Sequence, residues 1–136
     1  MLKNLSKTNT SSNSDLGLLV LRIIGGGLML VHGIPKLMKL LKGDFAFADP
    51  IGIGAGFSLG LTVFAEFVCA LLILIGFKSR LAAIPLMITM LVASLIVHGA
   101  DPFGKKELAL IYFGIYLAIF MLGSGKYSFD KILKKD

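Results

Sequence analysis

Residues 59–77, LGLTVFAEFVCALLILIGF, form one uninterrupted apolar run that contains a single charged side chain, Glu66. An α-helix needs about 20 predominantly apolar residues to cross the hydrocarbon core of a bilayer. A soluble chain of 136 residues could not hide several such runs, because small domains bury only a modest fraction of their surface. The stretch therefore predicts a membrane-spanning helix.

The same pattern extends over most of the chain. Hydrophobic residues make up 56% of it and charged residues 16%, and the mean hydropathy is +0.86. The apolar runs predict four helices, at residues 16–41, 59–77, 81–98 and 107–122. We therefore expect an all-α, integral membrane four-helix bundle within residues 16–123, surrounded by a lipid bilayer. The alternative, a soluble all-α domain, would have to cover three long apolar runs.

Two polar tails flank the predicted bundle. Residues 1–15 are rich in Ser, Asn and Thr, which predicts a disordered N-terminal tail, and residues 124–136 form a basic C-terminal tail. The two tails and the turn at residues 78–80 carry eight cations: Lys3, Lys7, Lys78, Arg80, Lys126, Lys131, Lys134 and Lys135. The other two connections carry five: Lys36, Lys39, Lys42, Lys105 and Lys106. This asymmetry favours both termini in the cytoplasm.

Composition also excludes several functional classes. The net charge is +6, but the basic residues lie in tails and loops, where anionic lipid headgroups are the expected partner. No basic stripe with interleaved aromatics is present, so we expect no nucleic-acid binding. Cys69 is the only cysteine, which excludes an intrachain disulfide or redox pair. No HExxH, P-loop, zinc or Ser-His-Asp pattern occurs, so we expect no metal site and no classical hydrolase or kinase chemistry.

Four ionisable residues fall at membrane depth: Arg22, His32, Glu66 and His98. A charge in hydrocarbon costs about 2.5–3.5 kcal/mol, so such side chains face the bundle interior and meet partners. A rise of about 1.5 Å per residue places Glu66 between Arg22 and the two histidines. Three interpretations of Glu66 stay open: a structural ion pair with Arg22, a proton carrier in a polar pocket, or a metal ligand with the histidines.

A ligand pocket is predicted near the far end of helix 1. His32 and Lys36 are four residues apart and share a helix face. His98 ends helix 3 on the same side of the membrane, and Glu107 begins helix 4 there, so the four side chains can line one pocket. Two histidines at equal depth would also suit non-covalent haem, although anchoring of helix ends is the commoner role. Tyr112 and Tyr116 share a face that could admit a quinone ring, although such aromatics more often serve packing.

Three segments, taken in order and spacing, resemble the DoxX family. They are LRIIGGGLMLVHGIPKL (21–37), FAEFVCALLILIGFKSRLAAIPL (64–86) and GSGKYSFD (123–130). The family pattern has an Arg early in helix 1, a His-Gly pair at its far end and a Glu in helix 2. It continues with Gly-x-x-x-Arg-x-Ala into helix 3 and Gly-x-Gly-x-x-Ser-x-Asp after helix 4. This sequence matches at each of these points.

The resemblance implies a small four-helix protein of the bacterial cytoplasmic membrane with a link to redox physiology. Relatives include a subunit of a thiosulfate:quinone oxidoreductase and proteins of oxidative-stress defence. We therefore expect a subunit or accessory of a membrane redox system that acts at a quinone and meets redox partner proteins; as an enzyme, it would be an oxidoreductase subunit. Arg22 and Glu66 would form the catalytic polar centre, and the ligand site would contain His32, Lys36, His98 and Glu107. The alternative is a non-enzymatic membrane protein, either a scaffold or a small-solute carrier. A carrier would require a homo-oligomer.

Overall fold

The computed structural model describes residues 10–134, and these residues form a bundle of helices. No β-strand occurs between Thr10 and Lys134. The helices are α1 (Thr10–Arg22, Ile23–Leu28 and Met29–Leu41), α2 (Ala55–Val63, Phe64–Cys69 and Ala70–Ile75), α3 (Ser79–Val92 and Ala93–Val97), α4 (Phe103–Leu122) and α5 (Phe129–Lys134). The segments Ile23–Leu28, Phe64–Cys69 and Ala93–Val97 are π-helical turns within otherwise α-helical rods.

Three of the helices are long and apolar enough to cross a membrane: Asn13–Leu41 of α1, Ala55–Ile75 of α2 and Ser79–Val97 of α3. α4 has 20 residues and differs from them by the charged side chains in its first turns. The predicted all-α membrane class is confirmed. Large aliphatic side chains cover the outside of the bundle, as expected of a surface that faces lipid rather than water.

The helix ends differ from the sequence predictions at several places, and α2 begins at Ala55 rather than at 59. α1 begins at Thr10, inside the predicted tail 1–15; the rest of that tail, residues 1–9, lies outside the described residues. α4 begins at Phe103 rather than at 107, because Pro102 supplies a non-helical residue just before it and the charged residues that follow are good helix formers. The predicted tail 124–136 contains α5, which folds back against the bundle.

Small residues let the helices approach closely at the centre. The buried core consists of Met29, Ala65, Cys69, Ala70, Ile73, Ala82, Ala83, Leu86, Met90, Tyr112, Tyr116 and Ile119. α1 and α2 come closest at two glycines. A Cβ atom on Gly26 would lie 2.7 Å from the Ala70 carbonyl oxygen, and one on Gly33 would collide with the Glu66 carbonyl. Close backbone approach at small residues is typical of helix pairs in membranes.

The bundle has two different ends. At the end that we call the turn end, Gly76 stops α2 in a left-handed conformation (φ 76°), and Lys78 follows with φ 49°. Residues 123–134 return to this turn, where the Asp130 carboxylate accepts hydrogen bonds from the Lys78 backbone N–H at 2.9 and 3.0 Å. The opposite, loop end holds residues 43–54 and 98–102.

Candidate functional site

Arg22 lies at the turn end and is almost completely buried, with 2% of its surface exposed. Its guanidinium donates four hydrogen bonds to carbonyl oxygens, those of Ile73 (3.0 Å), Leu74 (3.0 Å), Ser124 (3.1 Å) and Tyr127 (2.7 Å). The last carbonyls of a helix have no partner within the helix. Arg22 therefore caps the end of α2 and ties residues 123–127 to it.

The ion pair between Arg22 and Glu66, one of the three interpretations left open by the sequence, does not form, and that interpretation was wrong. Glu66 instead accepts a hydrogen bond from the Lys36 ammonium, with 2.7 Å between Nζ and Oε1. Arg22 reaches α2 at Ile73, seven residues beyond Glu66, which corresponds to about 10 Å along the axis. The last carbonyls of α2 lie at the depth of Arg22, and Lys36 lies at the depth of Glu66.

The Lys36–Glu66 pair is built by the contact between α1 and α2. Glu66 lies in the π-helical segment Phe64–Cys69 and is 4% exposed. Gly33 packs directly on the Glu66 backbone, so that Lys36, one turn further along α1, can extend over the carboxylate. The Lys36 side chain keeps 30% of its surface exposed. A buried carboxylate is tolerated when a cation and a hydrogen bond compensate it.

A cavity of about 200 Å³ opens beside this pair at the loop end, among α1, α2, α3 and α4. Its wall consists of Met29, His32, Lys36, Glu66, Met90, Ala93, His98, Lys105, Leu108, Ala109 and Tyr112. The structure thus brings His32, Lys36 and His98 together with Glu66. It does not bring Glu107 to them: this side chain is exposed on α4 and lies outside the cavity wall, which Lys105 reaches from the same turn.

A row of aromatic rings leads from the cavity into the core. The His32 ring meets Tyr112 edge to face, with 6.0 Å between centroids, and Tyr112 stacks on Tyr116 at the same separation. The Tyr116 hydroxyl donates a 2.8 Å hydrogen bond to the Gly25 carbonyl oxygen. Gly25 belongs to the π-helical segment of α1, where the regular hydrogen-bond ladder is altered. Tyr112 therefore belongs to the cavity. In the sequence, the only indication of its place there was the helical spacing between Tyr112 and Tyr116.

His98 is oriented by a neighbour that the sequence analysis missed. Its Nδ1 lies 2.9 Å from Asp101 Oδ2. The hydrogen bond with His98 holds the pKa of the Asp101 carboxyl below its usual value, and the charges of Lys105 and Lys106 act in the same direction. The signal for this pair was a carboxylate three residues after a histidine at a helix end. Asp101 therefore fixes the ring of His98 at the mouth of the cavity.

The cavity suits a small ring better than haem. Its volume is below the roughly 300–1,000 Å³ of pockets that hold drug-sized ligands, so a porphyrin does not fit between His32 and His98. Within residues 10–134, no three His, Cys, Asp or Glu side chains converge closely enough to hold a metal ion. The cavity wall offers four cationic or imidazole side chains, one carboxylate and one phenol.

Comparison with known proteins places the chain in a family. The DoxX family model matches residues 17–99, more than half of the sequence. The chain belongs to the DoxX family. It is also 30% identical over 125 residues to the inner membrane protein YqjF of Escherichia coli strain K12, which covers 89% of this chain and 95% of that protein. No solved structure matched the chain.

The DoxX match includes Arg22, Glu66 and His98 but ends before α4. The Tyr112 side of the cavity and two of the four carbonyls that receive Arg22, those of Ser124 and Tyr127, therefore lie outside the matched range. The alignment with YqjF is longer and covers most of the chain. Family membership thus agrees with an integral membrane protein whose polar groups are buried between the helices.

Proposed function

We propose that the loop-end cavity binds the head group of a quinone-like redox carrier and that this DoxX protein works as a subunit or accessory of a membrane redox system. The observation that carries the proposal is the Lys36–Glu66 pair. It lies on the wall of a cavity within the bundle, beside His32, His98 and the Tyr112 ring. Intramembrane ionisable residues that face a cavity mark ligand or proton sites.

The residues of the wall fit such a head group. Lys36, His32 and His98 supply N–H donors, and carbonyl oxygens of a ring would accept hydrogen bonds from them. The faces of Tyr112 and His32 offer aromatic contacts for a flat ring. A bound quinone would supply redox chemistry that takes up and releases protons. Glu66 would hold a proton at its carboxylate, and Lys36 would balance the charge of that carboxylate when the proton leaves.

The setting proposed for this site is the inner membrane of a bacterium, as the name of YqjF states for that protein. The excess of Lys and Arg in the tails and the 78–80 turn favours both termini in the cytoplasm. In this orientation the cavity opens towards the outer surface of the membrane. In this proposal, redox partner proteins or further copies of the chain would complete the electron-transfer path.

Lipid extraction of the purified protein tests the proposal. The detergent-solubilised protein should carry quinone, detected by its absorption and by mass spectrometry of the extract. Glu66→Gln, which removes the partner that positions Lys36, and Tyr112→Leu, which removes the aromatic face, should each reduce the bound quinone about tenfold, the effect of losing roughly 1.4 kcal/mol of interaction. Glu107→Gln is the matched control, because it makes the same chemical change at an exposed position of the same end.

Two outcomes would contradict the proposal. One is the absence of quinone from wild-type protein, even after it is supplied to reconstituted vesicles. The other is equal quinone content in Glu66→Gln and Glu107→Gln. Either result would favour the alternative, a non-enzymatic scaffold or small-solute carrier. Size-exclusion chromatography shows whether each variant stays folded, and Tyr112→Leu keeps the test valid if Glu66→Gln is unstable.

A further inference from the structure

A second cleft lies at the turn end, far from the cavity of the proposed function. It has a volume of about 410 Å³ and lies where the α2–α3 turn meets the returning C-terminal segment. Its wall consists of Lys78, Ser79, Arg80, Leu81, Leu122, Gly123, Ser124, Gly125, Asp130, Lys131 and Lys134. We call it the basic cleft, because four of these side chains are cations and one is an anion.

The single anion of the basic cleft is already engaged. Both oxygens of Asp130 accept hydrogen bonds from the Lys78 backbone N–H, and Oδ2 also accepts one from the Ser124 hydroxyl at 2.7 Å. Asp130 therefore serves to close the C-terminal segment onto the turn. The ammonium and guanidinium groups around it are left with a net positive potential, and α3 begins here, which adds the positive end of its dipole.

Apolar side chains next to these cations indicate the kind of anion. Leu81 and Leu122 line the same cleft and are 64% and 57% exposed. On α5, Phe129, Ile132 and Leu133 are also exposed, while Lys131 and Lys134 lie between or beside them. A short segment that combines exposed apolar and basic side chains suits the boundary between headgroups and acyl chains. A soluble anion would gain nothing from the leucines.

We infer that the basic cleft binds the phosphate headgroup of an anionic phospholipid, with Arg80 and Lys131 as its principal ligands and the acyl chains lying against Leu81 and Leu122. The two cations approach from different elements, the start of α3 and α5, so that a phosphate between them would join the C-terminal segment to the bundle. Arg80 also contacts the end of α4, where one of its N–H groups lies 3.4 Å from the Met121 carbonyl oxygen. This inference is independent of the proposed function.

The test measures binding of short-chain phosphatidylglycerol to the full-length protein in a zwitterionic detergent, by native mass spectrometry and calorimetry. Each Lys or Arg near an anionic lipid contributes about fivefold to affinity. The double variant Arg80→Gln/Lys131→Gln should therefore bind about 25-fold more weakly than wild type. Lys42→Gln/Lys126→Gln is the matched control, since it removes the same charge from exposed positions outside the cleft, and it should change the affinity less than about twofold.

Other ligands separate a lipid site from a soluble-anion site. Phosphatidylcholine of the same chain length should bind far more weakly, and inorganic phosphate should not displace phosphatidylglycerol. Equal affinity in the two double variants would overturn the inference, and so would displacement by inorganic phosphate alone, which would indicate a soluble-anion site. If Arg80→Gln/Lys131→Gln does not fold, Lys134→Gln removes one cation from the exposed end of α5 and should weaken binding about fivefold.

Discussion

At the scale of single residues, Arg22 is a buried side chain held by four hydrogen bonds. Its four carbonyl partners belong to α2 and to residues 124–127. A Cβ atom on Gly76 would lie 2.6 Å from the Arg22 guanidinium, so glycine is required there by space as well as by its φ of 76°. A planar group with five donors can satisfy carbonyls on several sides, which an ammonium cannot do in the same way.

Replacement of Arg22 by lysine should therefore destabilise the protein strongly. Lysine has three donors and a different reach, so we expect it to lose about two charge-assisted hydrogen bonds, or about 3 kcal/mol of the free energy of unfolding. Cys69 is the only cysteine and is buried, so a thiol-reactive dye reports thermal unfolding in detergent. Arg80→Lys is the control, because Arg80 is exposed. Equal Tm values for the two variants would contradict this role of Arg22.

Asp49 controls the conformation of the loop before α2 through three hydrogen bonds. Its carboxylate accepts them from the Gly54 and Ile53 backbone N–H groups at 2.9 Å and from the Ser58 hydroxyl at 3.0 Å. The bond from Gly54 does most to hold the pKa of Asp49 below its ordinary value. A lowered pKa stabilises the folded loop above the unfolded value of about 3.9, and this contribution is lost as the pH falls through the folded pKa.

Hydrogen–deuterium exchange at residues 49–58 should therefore accelerate below about pH 4, after correction for intrinsic exchange rates. Asp49→Asn cannot change its charge and should show fast exchange in this loop at every pH. The measurement is mass spectrometry of peptides from the protein in detergent. If exchange in this loop had the same pH dependence in Asp49→Asn as in wild type, another titrating group would be responsible.

At the scale of elements, the α1–α2 contact determines where the polar groups meet. Gly26 and Gly33 remove the side chains that would hold the two helices apart. The consequence is chemical as well as structural, because Gly33 lies against the Glu66 backbone and Lys36 follows one turn later. The packing of small residues thus decides which cation reaches the buried carboxylate.

Gly33→Ala should separate the helices at this point. Overpacking of a tight contact typically costs about 1–3 kcal/mol, so we expect a lower Tm and a weakened Lys36–Glu66 pair. Gly114→Ala is the matched control: a Cβ atom there meets nothing within 4 Å, and alanine should raise helix stability by up to about 1 kcal/mol. Thermal unfolding of the two variants compares them directly, and a Tm for Gly33→Ala at or above that of Gly114→Ala would contradict the contact.

At the scale of the whole molecule, the C-terminal segment closes the turn end. The Asp130 carboxylate accepts a hydrogen bond from the Lys78 N–H, and the Asp130 N–H donates one to the Gly76 carbonyl oxygen at 3.0 Å. The Asp15 carboxylate accepts a hydrogen bond from the Lys126 N–H. These bonds link the first helix, the α2–α3 turn and the end of the chain. Arg22 lies beneath them and contacts the same segment.

Asp130→Ala should therefore loosen the turn end without unfolding the bundle. The expected result is faster hydrogen exchange at residues 76–80 and 124–130, with a Tm lowered by a few degrees, because the apolar core does not depend on Asp130. Asp44→Ala provides the comparison, since its carboxylate binds Lys39 at the loop end and its loss should leave exchange at the turn end unchanged. Global unfolding of Asp130→Ala would contradict a local role.

The sequence predicted the class of the molecule because that class depends on local composition. Apolar runs of sufficient length specify helices in lipid regardless of their neighbours. The same reasoning placed His32, Lys36 and His98 in one pocket, since helical spacing and depth are also local quantities, but it assigned Glu66 to a separate centre with Arg22. It failed for Glu107, because which face of α4 turns inward depends on packing against α3 and not on the position of the residue in its turn.

What the sequence determined by itself was therefore an all-helical membrane protein with a few buried ionisable groups. The tertiary structure decided the partners: Lys36 rather than Arg22 for Glu66, backbone carbonyls for Arg22, and a docked α5 in place of a free basic tail. The physical reason is that burial follows from the hydrophobicity of each segment, whereas an ion pair depends on the relative depth and rotation of two helices. Those quantities are fixed at glycine contacts such as Gly33 against Glu66, which composition does not reveal.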